Sequence, residues 1–338
     1  MNGTVYIFGP CSAESREQVT ETARGLRAVC GGIPFIFRAG AWKPRTNPNT
    51  FRGAGEEALG WLKEVQTTGI EVATEVATPE QVVAAMKAGI DYLWIGARTS
   101  ANPIAVEAVS RQVAEIRNTD PESSNLKAVL IKNPVNADPE LWLGNIERLE
   151  KTGIPVMAVH RGCNHQPCWK MAHVVRTRRP DIPMLLDPSH MSGDAEQVPA
   201  LMTKISELDL NGAMVEVHHR PDTALSDARQ QITPGQLRDC IETILDFPRD
   251  IHETELNWLR AEIDELDDAL WNTIAARMEV SERIGAWKKA HSVTPLQPQR
   301  FGQILSQRMA WAEQNGLDAA LVEQVMKAIH QESLKRQK

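Results

Sequence analysis

Eight short apolar runs recur through roughly the first three quarters of this chain, and a helical pattern follows each of them. The runs are VYIF (5–8), FIFRAGA (35–41), EVATEV (71–76), YLWIGA (92–97), AVLIKN (128–133), VMAVHRG (156–162), MLLDPSH (184–190) and GAMVEVH (212–218). They start about 21 to 36 residues apart, enough for one strand, one crossover helix and two loops. Several are almost continuously apolar, as parallel strands covered on both faces must be. Between them lie helix signals: Leu59, Leu62 and Val65 at helical spacing, Thr78-Pro79-Glu80 and Thr233-Pro234 at helix starts, and Gly69, Gly89 and Gly153 at helix ends. Eight such units in about 245 residues predict a closed (β/α)8 barrel. An open doubly wound sheet competes with it, but no G-x-G-x-x-G follows the first run.

The pattern changes after the segment Asp246-Phe247-Pro248-Arg249-Asp250, and no strand signal returns. Residues 254–291 contain no proline and one glycine, Gly285. Leu256, Leu259, Ile263, Leu266, Leu270, Val280, Ile284 and Trp287 fall on two heptad-spaced rows, and two shorter helices are expected at 299–314 and 318–336. So short a domain cannot cover so long an apolar stripe by itself, which predicts a homodimer or larger homo-oligomer. The expected organisation is α/β barrel over 1–246, linker over 247–254, and an all-α three-helix domain over 255–338.

Composition closes off other classes. No apolar run exceeds about six residues, against the ~20 that a membrane-spanning helix needs. The opening MNGTVYIFGP shows no secretory signal, and five cysteines read as free thiols, so a cytoplasmic location is expected. With 37 basic against 44 acidic residues, net −7, a nucleic-acid surface is not expected.

Barrel enzymes work at the carboxyl ends of their strands. Those positions here hold Cys11, Arg38 with Lys43, Arg45 and Thr46 beyond it, Glu75, Arg98, Lys132, Arg161, Asp187, His190, Glu216 and His218, with Asp227 in the last loop. A solvated rim of mixed charge is one reading. Basic residues at the ends of four strands in an acidic protein favour another, a site for a strongly anionic ligand. Cys11, His190, Glu216 and Asp227 offer sulfur, imidazole and two carboxylates, a set suited to one divalent transition ion such as Mn, Fe, Co or Zn, although their spacing lends no support. The local cluster His160, Cys163, His165 and Cys168 has no usual structural zinc spacing and reads as a loop with two free thiols.

In these residues the sequence resembles type Iβ 3-deoxy-D-arabino-heptulosonate 7-phosphate (DAHP) synthases. GPCS, KPRT (43–46), GAR (96–98), IKN around Lys132, the RG of Arg161, DPSH (187–190), VEVH (215–218) and ALSD (224–227) occur in that family's order across 5–245. The resemblance implies metal ligands at Cys11, His190, Glu216 and Asp227, and phosphoenolpyruvate contacts from Arg38, Lys43, Arg98, Lys132 and Arg161. It implies that Arg45 and Thr46 hold the phosphate of erythrose 4-phosphate. Lys43 is expected to be catalytic, and Lys43 and Glu75 are both open as the base that activates water. The related 3-deoxy-manno-octulosonate 8-phosphate synthases carry an asparagine-containing motif where KPRT stands here.

The helical end has its own signature. The row Leu256, Ile263, Leu270, Arg277, Ile284 places a guanidinium among aliphatic neighbours, where it needs a partner or a ligand. Val325 and Ile329 are followed at four-residue steps by Ser333 and Gln337. From Leu259 to Gln337 the pattern resembles the all-helical (AroQ-type) chorismate mutases, through the LR at 259–260, Arg277, G-x-x-K at 285–288, Arg300 and ES…Q at 332–337. The resemblance implies that Arg277 binds a substrate carboxylate and that Arg260 reaches the partner subunit's site. It implies that Lys288 and Gln337 hold the ether oxygen, with Arg300 and Ser333 completing the set. Gln297 and Phe301 stand where many members have acidic residues that hold the substrate hydroxyl, and Phe301 cannot accept that bond. The chain is therefore expected to be a bifunctional enzyme of aromatic amino-acid biosynthesis, making DAHP and converting chorismate to prephenate. The alternative is a helical domain that mainly binds prephenate or chorismate, dimerises the chain and regulates the barrel.

Overall fold

The computed structural model describes residues 4–43, 49–120, 125–246 and 253–337. Eight parallel strands close in chain order into a barrel. They are β1 (Val5–Gly9), β2 (Ile36–Arg38), β3 (Glu71–Val76), β4 (Tyr92–Ile95), β5 (Ala128–Lys132), β6 (Val156–His160), β7 (Met184–Leu186) and β8 (Gly212–Glu216). Closure is made by β1 pairing with β8, from Val5 opposite Gly212 to Gly9 opposite Glu216. All eight expected strands are present, and six are shorter than the apolar runs that announced them. The run at 184–190 breaks after Leu186 because Asp187 caps a helix whose first residue is Pro188. The run at 92–97 breaks where Gly96 caps the next helix. The run at 35–41 breaks after Arg38, where the chain leaves the sheet.

The helices around the barrel are α1 (Arg16–Cys30), α2 (Glu56–Gln66), α3 (Pro79–Lys87), α4 (Ala97–Ser100), α5 (Pro103–Thr119), α6 (Pro139–Glu150), α7 (Trp169–Arg178), α8 (Pro188–Ser192), α9 (Val198–Glu207) and α10 (Pro234–Asp246). Several starts are chemically specified: Ser15, Thr78, Asn102 and Asp138 each accept a backbone N–H of the first turn, and proline follows the last three. Alternation along the strands divides the apolar residues into two cores. One lies between strands and helices and holds Phe8, Phe37, Leu62, Leu93 and Trp142. The other fills the barrel with Ile7, Ile36, Ala73, Trp94, Leu130, Met157, Val159, Leu185 and Met214.

Three further helices follow: α11 (Thr254–Ala290), α12 (Pro298–Gln314) and α13 (Ala319–Arg336). The chain divides into two compact units, Met1–Glu262 and Ile263–Lys338. The expected linker at 247–254 lies mostly outside the described residues. Residues 254–262 group with the barrel because Trp258 is buried there, edge-on to Trp169 and stacked on His173. His173 in turn lies between Glu262 (Nδ1 to Oε1, 2.7 Å) and Glu255 (Nε2 to Oε2, 3.2 Å).

In the second unit α12 and α13 pack on one another and α13 meets α11 at Gly285. A Cβ built at Gly285 would stand 2.6 Å from the Cα of Gln337, so only glycine permits this approach. Ile263, Leu266, Leu270, Trp271, Val280, Ile284 and Trp287 remain exposed within the chain, Leu266 at 68%. Among the described residues no helix is long and apolar enough to cross a membrane.

Trp258→Ala removes a fully buried indole from the first unit, and such truncations cost about 3–5 kcal/mol. Urea denaturation followed by circular dichroism should show the barrel's transition moved to lower denaturant by that amount. An unchanged midpoint would mean that this end of α11 contributes nothing to the barrel.

Candidate active sites

On six of the eight strands, the inner face turns polar two residues beyond its last interior apolar position. Ile36 is followed by Arg38, Ala73 by Glu75, Leu130 by Lys132, Val159 by Arg161, Leu185 by Asp187 and Met214 by Glu216. The two-residue period thus carries one charged layer to the carboxyl ends of the strands. A cavity of about 460 Å³ opens above it, lined in part by Lys43, Glu75, Arg98, Lys132, Arg161, His190 and Asp227.

Arg38 with Glu216 and Lys132 with Asp187 are paired and almost fully buried in this layer. Arg38, over the ring of Trp94, donates through Nη2 to Glu216 (3.0 Å) and to the Cys11 carbonyl (3.4 Å). Its Nε and Nη1 have no hydrogen-bond partner among the described residues, so two donors of a buried guanidinium are left for a ligand. Arg161 Nε is in the same condition. Lys132 donates to Asp187 (2.7 Å), and Lys43 lies 4.0 Å from Glu75. Burial opposes the charge of Lys43, but Cys11, Glu75, Glu216 and Asp227 together raise its pKa, so it stays an ammonium at neutral pH. Burial, with Arg38, leaves the pKa of Lys132 lowered in spite of Asp187.

Asp187 organises the next group. Its carboxylate accepts the backbone N–H of His190 (3.0 Å), caps α8 and contacts the same residue's Nδ1 (3.1 Å). Burial works against ionisation of Asp187, yet His190 and Lys132 hold its carboxyl well below the usual range. For His190 burial is the larger influence and lowers its pKa, which favours the neutral ring. With Nδ1 turned to Asp187, Nε2 faces Glu216 Oε1 at 3.5 Å. A carboxylate behind an imidazole in this way leaves the far nitrogen as a ligand.

The ligand atoms of Cys11, Glu216 and Asp227 lie within 4.8 Å of one another, and His190 joins them through Glu216. These four come from the ends of β1, β7 and β8 and the loop after β8, up to 216 positions apart. Burial, then the negative charge of Glu216 and Asp227, pushes the Cys11 thiol well above its usual pKa. Its Sγ lies 2.8 Å from Asp227 Oδ2. A sulfur and two carboxylates at this spacing, with an imidazole nitrogen beside one of them, fit a divalent ion, which would turn the thiol into a thiolate.

Several residues that hold this set were not singled out by the sequence. Gln231 accepts the Cys11 N–H (3.0 Å) and donates to the Ser226 carbonyl (2.7 Å), tying the Asp227 loop to the end of β1. Asp227 itself sits in the left-handed region at φ 48°. Gln230 donates to Glu216 Oε2 (2.7 Å). Asn133 accepts the Arg161 N–H (2.7 Å) and donates to the Gly162 carbonyl (2.9 Å), fixing the turn that carries Arg161. The IKN motif was the only local signal for any of these.

Arg45 and Thr46 lie outside the described residues. Arg98 is exposed on the cavity wall. In the loop after β6, His160 is buried, its pKa lowered to about 4 chiefly by burial, and its Nε2 donates to the Pro167 carbonyl (2.7 Å). Among the described residues no metal-ligating group forms there.

The second unit gathers a smaller polar cluster. Arg277 donates to Ser333 (2.5 Å), and Lys288 donates to Gln337 Oε1 (2.9 Å) and the Pro295 carbonyl (2.8 Å). Lys288 and Ser333 are buried, whereas Arg300 and Gln297 are exposed at the start of α12. Phe301 stacks on His330. Arg260 belongs to the first unit and pairs there with Glu253 (3.1 Å).

Comparison with known proteins follows this division. The model of the DAHP synthetase I family matches residues 2–251, and that of chorismate mutase type II matches residues 259–338. A phospho-2-dehydro-3-deoxyheptonate aldolase of Thermotoga maritima is 31% identical over 234 residues, 67% of this chain and 64% of the relative, so the chain spans somewhat less than two thirds of that protein. A 2-dehydro-3-deoxyphosphooctonate aldolase of Nitrosococcus oceani is 28% identical over 260 residues, 70% of this chain and 87% of the relative. The crystal structure of the Thermotoga maritima DAHP synthase is similar with a TM-score of 0.61 at 26% identity, covering 76% of this chain and 71% of that one. A truncated form of the Thermotoga enzyme gives 0.59 at 25% identity, covering 76% and 89%.

Gly285→Ala forces a methyl group against the backbone of Gln337. Overpacking of this kind costs about 1–3 kcal/mol. Calorimetry should show the helical unit melting earlier while the barrel's transition stays in place. Identical melting of the helical unit would show that α13 has room to retreat.

Proposed function

Because the chain belongs to the DAHP synthetase I family and carries a chorismate mutase type II domain behind its barrel, we propose that it is a bifunctional enzyme of the shikimate pathway. The barrel condenses phosphoenolpyruvate with D-erythrose 4-phosphate to DAHP and phosphate, and the helical unit rearranges chorismate to prephenate. The observation that carries the first activity is the meeting, at the carboxyl end of one barrel, of unspent guanidinium donors with the set Cys11, His190, Glu216 and Asp227.

In the barrel, Arg38, Lys43, Arg98, Lys132 and Arg161 bind the carboxylate and phosphate of phosphoenolpyruvate, and Arg45 and Thr46 take the phosphate of the aldose. Fixing both anions brings the enol methylene to the aldehyde carbon and lowers the entropic part of the barrier. Cys11, His190, Glu216 and Asp227 hold the divalent ion, Mn, Fe, Co or Zn, whose chemistry when bound is Lewis-acid polarisation of the aldehyde carbonyl. Lys43, kept charged by the carboxylates around it, donates to the aldehyde oxygen as it gains negative charge. Water then adds to the former enol carbon and phosphate departs with its bridging oxygen. With Lys43 protonated, Glu75 is the wall carboxylate left to take the proton of that water.

In the helical unit the rearrangement needs no nucleophile and no base, so preorganised donors suffice. Arg277, already pointed by Ser333, takes a carboxylate, and Lys288 with Gln337 takes the ether oxygen, where negative charge grows as the carbon–oxygen bond breaks. Arg300 completes the site, and Arg260 reaches the partner subunit's site. The exposed stripe along α11 is the dimer contact that this requires. Exposed Gln297 and the apolar Phe301 favour a second role, in which the helical unit also binds prephenate as a feedback module.

Chelation should abolish DAHP formation, with Mn or Zn restoring it, and leave chorismate turnover within about twofold, both read on the full chain. Synthase activity indifferent to chelation would remove the metal assignment, and equal use of a five-carbon aldose phosphate would reassign the barrel. Lys288→Ala should lower the mutase kcat by about 10²-fold or more, the scale for losing one oxyanion donor, and leave DAHP formation intact.

A further inference from the structure

The stacked pair Phe301 and His330 joins α12 to α13 beside the polar cluster of the helical unit. Their ring centroids are 3.9 Å apart and the planes meet at 13°. His330, Ser333 and Gln337 are spaced i, i+3 and i+7, which places them on one face of α13. Ser333 receives the Arg277 guanidinium and Gln337 the Lys288 ammonium, so His330 continues the row that faces both cations. Its ring is half-buried. Burial first, and then Arg277 and Lys288, hold its pKa below the usual histidine value, so at neutral pH it is an uncharged ring with one acceptor and one donor nitrogen.

This inference rests on the mutase reading of the same site. Chorismate carries two carboxylates, an ether oxygen and one ring hydroxyl. Cations suit the carboxylates, and Lys288 with Gln337 suits the ether. The hydroxyl can take a hydrogen bond from a cation, but its own O–H needs an acceptor, which no arginine or lysine supplies. Phe301 has no polar atom, Gln297 is exposed, and Ser333 already accepts from Arg277 while donating to the Ile329 carbonyl. We propose that His330 is the specificity-determining residue of the helical site, binding the ring hydroxyl of the substrate through an imidazole nitrogen while Phe301 holds the ring in plane.

The test uses the full chain, with chorismate and its analogue lacking the ring hydroxyl as paired substrates. His330→Leu should lower kcat/KM for chorismate about tenfold or more, the scale of one buried hydrogen bond left unmade, and change the analogue less than twofold. His330→Gln, which keeps an acceptor, should recover most of the loss. A packing role alone would lower both substrates together and give no rescue by glutamine, which overturns the proposal. Wild-type protein that turns over neither substrate would instead defeat the mutase reading itself, a result separable from the first.

Discussion

A layer of buried charge at the carboxyl end of the barrel governs the rest of the first unit. Arg38 with Glu216 and Lys132 with Asp187 are almost wholly withdrawn from water. Breaking such a pair from one side costs about 3–5 kcal/mol, because the remaining charge is stranded. The barrel accepts that liability in a place where apolar side chains would pack as well. The arrangement makes sense as preorganisation: the donors are already desolvated and aimed, so little reorientation is needed when an anion arrives. In the sulfur site burial and two carboxylates outweigh Lys43 and Arg38 and keep the Cys11 thiol protonated.

Much of this was legible because strand geometry is so regular. The eight apolar runs announced the barrel, and their carboxyl ends already carried Arg38, Glu75, Lys132, Asp187 and Glu216; that these share one inner layer came from the structure. The long helix was equally plain, since 37 residues without proline admit few other conformations. What stayed hidden was whatever depends on loops returning from afar. Gln231 reaches Cys11 across 220 positions, and nothing in a run of two glutamines before Ile232 distinguishes it from solvated surface. His330 was invisible for a related reason: its meaning comes from Phe301 on another helix, and the sequence showed Phe301 only as a lost acceptor. The cluster HRGCNHQPC shows the converse, a local density of ligand-type residues whose side chains the backbone turns to other partners.

The two sites differ in how they hold their ligands' charge, and this sets how each can change. In the barrel two of the cations are tied into the sulfur site through an anion: Arg38 to Glu216, and Lys132 to Asp187 and through it to His190. A substitution anywhere in that chain is felt throughout it, since effects within a connected network do not add. In the helical unit Arg277 and Lys288 are held by neutral partners, Ser333 and Gln337, and Arg300 is exposed. A neutral partner can be exchanged without leaving a bare charge behind. A phenylalanine can therefore stand at position 301 with a histidine stacked on it from the next helix, a rearrangement of polar contacts that the tightly coupled charges of the barrel would not permit.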